Sequence, residues 1–212
     1  MRQQVEINET MRVILVNWLI DVHVRFRLQT ETLHIAVNLT DRFLARRPIR
    51  RGEMQLLGVT AMVIAAKYQE IYPPTIEDFV YMTDDAYSKP QVIWMEEYLL
   101  RELDYAINFP TPNYFLEVFT RAIGIPDQLH VINGAAYLVD LAILMHQEQT
   151  FLPSTISISA LKLTMTRMMK IRRFASQPVS QWMASLDLMI TRENFPQREV
   201  QDCCLALAGC QT

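Results

Sequence analysis

Residues 52–68, GEMQLLGVTAMVIAAKY, determine how the rest of this chain must be organised. The stretch is too long for an ordinary strand and lacks the alternation of one, so its pattern predicts a helix. That helix would be apolar or small on nearly every side, and such a helix must be enclosed by other helices. A single lysine, Lys67, stands near its end. The other helices are therefore expected to pack around residues 52–68.

The composition favours a compact helical protein. Of the 212 residues, 50% are hydrophobic and only 5 are glycine, and this length suits one large domain or two of about 100 residues. The net charge of −3 argues against bulk affinity for nucleic acid. The 3 cysteines make no disulfide framework, which favours reduced thiols inside a cell. We find no signal peptide and no apolar run that would span a bilayer, so no membrane partner is expected.

The first strong helical pattern covers residues 10–26 and carries two apolar stripes. The stripes consist of Met11, Ile14, Leu15, Trp18, Leu19 and Val22, and of Val13, Val16, Ile20 and Val24. One stripe can pack on the central helix, so the other is either further core or a docking surface. Arg12 lies between the stripes, and its guanidinium needs a carboxylate. Asp41, on the next helical pattern at about 30–45, is available, and we predict a structural ion pair between Arg12 and Asp41.

Four arginines follow that second helical pattern, namely Arg46, Arg47, Arg50 and Arg51. The simpler interpretation is a solvated loop, since cations are stabilised near a helix C-terminus. Contact with nucleic acid is the alternative, but no aromatic residues are interleaved with these arginines.

A carboxylate within an apolar helix face is the sharpest anomaly in the sequence. The helical pattern at 89–104 opens with a capping box between Ser88 and Gln91. Its apolar arc consists of Val92, Ile93, Leu99, Leu100 and Leu103. Glu96 lies in the middle of that arc, which is costly unless a cation meets the carboxylate. Lys67 is the available cation, so we predict that the two form a pair, either inside the fold or at a surface that a partner protein covers.

Prolines and the loss of helical period mark a boundary near residue 108, between segments 1–108 and 109–212. Five helical patterns precede the boundary. Five more follow it, at about 111–122, 127–146, 154–171, 178–191 and 196–208. Ser154 is the expected cap of the third of these. Five helices followed by five predict an all-α fold with an internal structural repeat.

No residue pattern supports catalysis. The glycines form no phosphate-binding loop. The histidines show no metal-ligand spacing with each other or with the cysteines; they are His23, His34, His130 and His146. Because no Ser-His-Asp or Cys-His arrangement can be argued either, we expect no catalytic residue, no cofactor and no metal.

Several runs together resemble the cyclins, and most of all their mitotic B-type group. The runs are 7–23 (INETMRVILVNWLIDVH), 65–74 (AAKYQEIYPP), 79–89 (FVYMTDDAYSK) and 91–96 (QVIWME). The resemblance is specific over residues 5–115. Residues 116–212 resemble the C-terminal cyclin box more loosely, chiefly at 137–141 and 151–154.

The resemblance implies two tandem five-helix cyclin boxes, each with a central apolar helix. It also implies a regulatory subunit of a cyclin-dependent Ser/Thr protein kinase in G2/M control. Such a subunit supplies no catalytic group; it pushes the kinase αC helix inward and helps to open the activation loop. The family's characteristic positions fall on Arg12, Asp41, Leu56, Lys67 and Glu96. Lys67 and Glu96 are expected to face the kinase, and Leu100 and Tyr105 to line an apolar surface beside them.

The family also docks Arg-x-Leu peptides of substrates or inhibitors on its first helix. The resemblance places this patch on Met11, Ile14, Leu15 and Trp18, with Asp21 and Gln55 nearby. Asp21 could meet the peptide's cation. Part of one apolar face of the first helix is therefore expected to be exposed.

Three residues depart from the family pattern. Asn17 and Gln69 stand where the family usually has Asp and Glu, which removes negative charge near the docking and kinase-binding surfaces. Trp94 replaces a usually charged residue, and we expect it to be exposed and to touch a partner. Residues 1–9 are expected to be the end of a longer N-terminal region, the family's destruction-motif segment being absent.

Two other classes of function remain open at this point. A cyclin-fold factor associated with nucleic acid should show a basic face, and the net charge argues against it. A helical enzyme would need a deep polar pocket with convergent titratable groups. For the kinase regulator we expect a location in the nucleus and the cytoplasm and no nucleic-acid partner.

Overall fold

The structure is a computed structural model that describes residues 4–125, 127–145, 150–171 and 178–209. Within these ranges the chain is all-α, so the predicted fold class is confirmed. The helices are α1 (Glu9–Phe26), α2 (Thr30–Arg46), α3 (Met54–Gln69), α4 (Ile76–Met82), α5 (Lys89–Glu102), α6 (Pro112–Ala122), α7 (Leu129–Leu144), α8 (Pro153–Met169), α9 (Val179–Arg192) and α10 (Gln197–Gly209). A 3-10 turn at Arg51–Glu53 precedes α3. The chain divides into two compact units, Met1–Phe109 and Pro110–Thr212.

Helix α3 is the enclosed centre of the first unit. Every residue from Met54 to Ala66 is buried except Gln55, which is half-buried. Helices α1, α2, α4 and α5 all pack against α3, as the apolar pattern predicted. A glycine allows the close approach of α1, because a Cβ atom on Gly58 would lie only 2.7 Å from Leu15 Cδ1 on that helix.

The buried face of α1 contains a charged residue at its centre. It consists of Arg12, Leu15, Val16, Leu19 and Val22. Residues from both predicted stripes therefore share one buried face, while Ile14 and Val24 are exposed. Arg12 lies between residues of the two stripes, as predicted, and its ion pair with Asp41 allows the guanidinium to enter the core.

The buried face of α5 also differs from the predicted arc. It consists of Val92, Met95 and Leu99, followed by Leu103 after the helix. Ile93 is exposed, and Leu100 is half-buried. Because Ile93, Glu96 and Leu100 are spaced by three and four residues, they form a separate line along the edge of the buried face. Glu96 is therefore at the border of the core and not in its middle.

Two predicted helix starts have different outcomes. The capping box of α5 is confirmed, since Gln91 Oε1 accepts hydrogen bonds from the Ser88 backbone N–H at 2.8 Å and hydroxyl at 2.9 Å. The prediction of Ser154 as the cap of α8 was wrong. That helix begins at Pro153, and the extended Leu152 (ψ 147°) is its N-cap. A proline restricts the residue before it to extended backbone and itself fits the first helical position.

Helix α8 is the central helix of the second unit. Residues 155–161 are all buried, and α6, α7, α9 and α10 pack against the helix. The Ser157 hydroxyl hydrogen-bonds the Pro112 carbonyl at 2.5 Å and the Pro153 carbonyl at 2.9 Å, which joins α8 to the start of α6. Helix α7 ends at Leu144, and His146, the predicted end, lies outside the described residues.

Candidate functional site

Arg12 and Asp41 join α1 to α2 inside the first unit. Arg12 Nε lies 2.7 Å from Asp41 Oδ1, and Arg12 Nη2 lies 2.7 Å from Asp41 Oδ2. Both residues are buried. Two parallel charge-assisted hydrogen bonds fix the relative orientation of the two side chains, and therefore of the two helices. The pair occupies the core and offers no surface to a ligand.

Lys67 and Glu96 form the second pair, at the surface. Lys67 Nζ lies 2.7 Å from Glu96 Oε1 and 2.8 Å from Oε2. The Lys67 side chain is 46% exposed and that of Glu96 is 17% exposed. Lys67 stands in the last turn of α3, where a cation is favoured by the helix dipole. The two charges already touch in the isolated chain, and both remain within reach of a partner.

An apolar surface surrounds this pair along α5. Ile93 and Leu100 flank Glu96 on the same edge of the helix, and Tyr105 is 65% exposed. Trp94 is 58% exposed, as predicted from its position in the sequence. Its ring lies 5.4 Å from that of Tyr98. Large apolar groups exposed beside a charge pair are typical of a protein-binding surface.

The arginines after α2 hold the end of this surface in place. Arg47 Nε donates to Glu102 Oε2 at 2.7 Å, and Arg46 Nη1 to Asp104 Oδ2 at 3.0 Å. The hydrogen bond to Glu102 raises the pKa of Arg47 above its ordinary value. Asp104 and Tyr105 adopt left-handed backbone conformations, with φ of 55° and 58°. These two arginines therefore bind carboxylates of the chain itself, which favours the solvated-loop interpretation over contact with nucleic acid.

A groove of about 350 Å³ lies between α1 and the start of α3. Its lining consists of Met11, Ile14, Leu15, Trp18, Arg51, Met54 and Gln55. The structure thus brings together five of the six residues predicted for the docking patch. Asp21 is exposed on α1 but does not line the groove. Sequence reasoning missed Arg51 and Met54, although both stand within four residues of Gln55.

The other two residues that depart from the family pattern, Asn17 and Gln69, lie on α1 and at the end of α3. Asn17 is exposed on α1. Gln69 Nε2 donates to Gln29 Oε1 at 3.2 Å. Its neighbour Glu70 accepts hydrogen bonds from the Gln29 backbone N–H at 2.7 Å and from the Thr32 hydroxyl at 2.5 Å. Gln69 and Glu70 therefore tie the end of α3 to the start of α2.

The described residues contain no metal-binding cluster and no membrane-spanning helix. Across the described ranges, no three His, Cys, Asp or Glu side chains are grouped so that they could hold a metal ion. None of the helices in that part of the chain is long and apolar enough to cross a membrane. His146 and Cys210 lie outside it.

Two helical units with an enclosed central helix define the class of this chain as an all-α protein with a repeated five-helix architecture. Residues 1–108 match the family model of the cyclin N-terminal domain. The chain belongs to the cyclin family. Cyclins are non-catalytic regulatory proteins, which agrees with the lack of any catalytic pattern in the sequence.

The chain is similar to curated mitotic cyclins of the B type. The G2/mitotic-specific cyclin-B of Arbacia punctulata is 45% identical over 165 residues, which are 78% of this chain and 40% of the relative. The G2/mitotic-specific cyclin S13-7 of Glycine max is 38% identical over 206 residues, 97% of this chain and 75% of the relative. Cyclin-B1-3 of Arabidopsis thaliana is 42% identical, and the chain spans 38% of its length.

Solved structures share the fold. A viral cyclin from herpesvirus saimiri superposes with a TM-score of 0.76 at 20% identity, covering 97% of this chain and 89% of the viral one. The CAK complex from Chaetomium thermophilum bound to ATP-γ-S contains a chain that matches with a TM-score of 0.58 at 16% identity, over 96% of this chain and 74% of that one. At these identities the likeness establishes the fold alone.

Proposed function

We propose that this chain is a regulatory subunit that binds and activates a cyclin-dependent Ser/Thr protein kinase in G2/M control. Membership of the cyclin family and the mitotic names of its relatives support the proposal. The observation that carries it is the Lys67–Glu96 pair, in which an exposed lysine meets a half-buried glutamate at the border of an apolar surface on α5. The chain spans 40% of the length of the Arbacia punctulata cyclin-B. The proposed activity is therefore that of this segment in complex with its kinase.

The proposed mechanism depends on the side chains that α3 and α5 offer to the kinase. Lys67 ends the buried central helix, and Glu96 stands on the neighbouring helix that carries Leu100. A kinase αC helix that packs on this surface would be pushed inward, so that its glutamate meets the lysine that holds the ATP phosphates. The cyclin supplies rigidity and contact area, and the kinase supplies every catalytic group.

Alanine substitutions of the charge pair test this surface. The wild-type chain is expected to stimulate phosphorylation by a cyclin-dependent kinase of its own source. Lys67→Ala and Glu96→Ala should each weaken kinase binding by about 1–3 kcal/mol, because interface charges are costly to leave without a partner. Binding is measured by calorimetry or surface plasmon resonance, and activation by phosphate transfer to a histone substrate.

A second exposed pair in the same unit provides the matched control. Lys89 Nζ lies 2.6 Å from Glu77 Oε1, with side chains 50% and 61% exposed. Lys89→Ala and Glu77→Ala should leave kinase affinity within about twofold of wild type, since an exposed pair away from the interface contributes little. Equal affinity in all four variants and the wild type would exclude the Lys67–Glu96 surface as the kinase-binding site.

Three further parts of the proposal concern the rest of the chain. The groove of α1 and α3 docks Arg-x-Leu segments of substrates or inhibitors, supported by the five predicted patch residues that line it. The second unit is the C-terminal cyclin box, supported by the four described helices that pack around α8. The protein acts in the nucleus and the cytoplasm, which imaging of a fluorescent fusion through the cell cycle tests directly.

A further inference from the structure

The groove between α1 and α3 includes one cation, Arg51, and an anion, Asp21, stands outside the groove further along α1. Arg51 lies toward the N-terminal end of α1, because its backbone N–H donates to Glu6 Oε2 at 3.1 Å and Glu6 stands three residues before the first residue of that helix. Asp21 lies on the same helix, ten residues beyond Met11, which lines the groove. At a rise of 1.5 Å per residue, ten residues span about 15 Å.

Arg51 is the only charged residue among those that line the groove. Its guanidinium makes no hydrogen bond or ion pair with any residue in the described ranges. The other lining residues are apolar except for the amide of Gln55. The groove therefore offers an apolar floor with a cation that has no anionic partner among the described residues, and Asp21 stands outside it.

We propose that the groove selects peptides with an anionic residue on the side opposite their arginine, and that Arg51 is the residue that makes this selection. The proposal deepens the docking function proposed above and rests on it. The peptide's apolar residue occupies the floor, its arginine lies toward Asp21, and its anionic residue lies toward Arg51. An extended chain advances about 3.3 Å per residue, so about 15 Å separates residues four or five positions apart.

Glu6 is a carboxylate that the structure places beside the Arg51 backbone. It accepts the Arg51 backbone N–H and does not line the groove. Its negative charge opposes an anionic ligand, so Glu6→Gln is expected to increase the selection. A glutamate and a phosphoserine share the required chemistry, and both are included among the test peptides.

Fluorescence anisotropy with short labelled peptides tests the inference on the whole chain. Each peptide carries arginine, a spacer and leucine, and the residues three to six positions beyond the arginine are replaced in turn by alanine, glutamate, phosphoserine or lysine. Wild-type protein should bind the best glutamate peptide about fivefold more tightly than the alanine peptide, as for an exposed ion pair. The phosphoserine peptide should bind at least as well, and 1 M salt should abolish the difference.

Charge reversal at two adjacent arginines distinguishes a direct contact between Arg51 and the peptide from a general electrostatic effect of positive charge near the groove. Arg51→Glu should invert the preference, so that the lysine peptide binds more tightly than the glutamate peptide. Arg50→Glu makes the same change of charge at a residue that does not line the groove, and it should retain most of the wild-type preference. Both positions are exposed, and circular dichroism melting checks that both variants fold.

The possible failures are distinguishable. Peptides that bind with no charge preference, or a preference lost equally in both variants, would overturn the role of Arg51 and leave docking intact. Binding of no peptide at all, including the alanine peptide, would overturn docking and the inference together. Trp18→Ala is the positive control for the groove, and it should weaken every peptide.

Discussion

Breaking the buried pair of Arg12 and Asp41 should unfold the first unit under mild conditions. The Arg12 side chain is 1% exposed and that of Asp41 is 9% exposed, and two hydrogen bonds of 2.7 Å join them. Removing one partner leaves the other as an uncompensated buried charge, which costs about 3–5 kcal/mol. Arg12→Met and Asp41→Leu should each lower the free energy of unfolding by this amount, a large part of the stability of a single domain.

The double variant decides whether the loss comes from an unpaired charge or from packing. Arg12→Met combined with Asp41→Leu leaves no buried charge, so the free energy of unfolding should recover to within about 2 kcal/mol of wild type. The coupling energy from this double-mutant cycle should therefore reach about 4 kcal/mol or more. The exposed pair of Lys89 and Glu77 is the reference, with an expected coupling below about 1 kcal/mol.

Urea unfolding followed by tryptophan fluorescence measures these energies in the correct unit. Trp18 and Trp94 report on the first unit and Trp182 on the second, so a Trp182→Phe background isolates the first. Single variants that cost less than about 1 kcal/mol, or costs that simply add in the double variant, would refute the argument that the pair is a buried clamp.

Two further predictions concern α3 and α4. Gly58→Ala should lower the free energy of unfolding by about 1–3 kcal/mol, because its Cβ atom would lie 2.7 Å from Leu15 Cδ1. Gly52→Ala is the control: a Cβ atom there has no neighbour within 4 Å, so this variant should be nearly neutral in the same urea titration. Hydrogen bonds from Thr75 lower the pKa of Asp78, so its contribution to stability is present above the unfolded pKa and is lost as pH falls through the lower folded value. The protection of α4 amides against exchange, taken relative to the intrinsic rate at each pH, should therefore fall below about pH 4, and Asp78→Asn should remove that dependence.

The sequence allowed the central helix and both charge pairs to be predicted for one physical reason. A run as apolar as residues 54–66 has no stable place except inside other helices. A charge on an apolar face must find an opposite charge, and Arg12 and Glu96 each had one plausible partner. Strong energetic penalties leave few alternatives, so these features were visible without coordinates.

Features that depend on weaker preferences were not predictable in the same way. Met95 and Ile93 are two positions apart on α5, and the pattern of apolar residues did not distinguish which one faces the core. The structure buries Met95 and exposes Ile93. Likewise, Arg51 lines the groove because a 3-10 turn places it beside α1, and no local pattern encodes that tertiary placement. Ser154 failed as a cap because the preceding proline already starts the helix.

The two candidate surfaces are joined by α3. Gly58 lies beneath Leu15 of the groove, and Lys67 follows nine residues later, a separation of about 14 Å along the helix. Because α3 is enclosed by its neighbours, the proposed function requires a peptide docked in the groove to lie at a fixed distance from the bound kinase. This raises the effective concentration of the peptide at the kinase without any new contact. Gly58→Ala, which displaces Leu15, should therefore raise KM for substrates that carry the docking segment. A short substrate without that segment should keep its wild-type KM and kcat. An equal rise in KM for both substrates would contradict this, because it would show that Gly58→Ala changes the kinase-binding surface and not peptide docking.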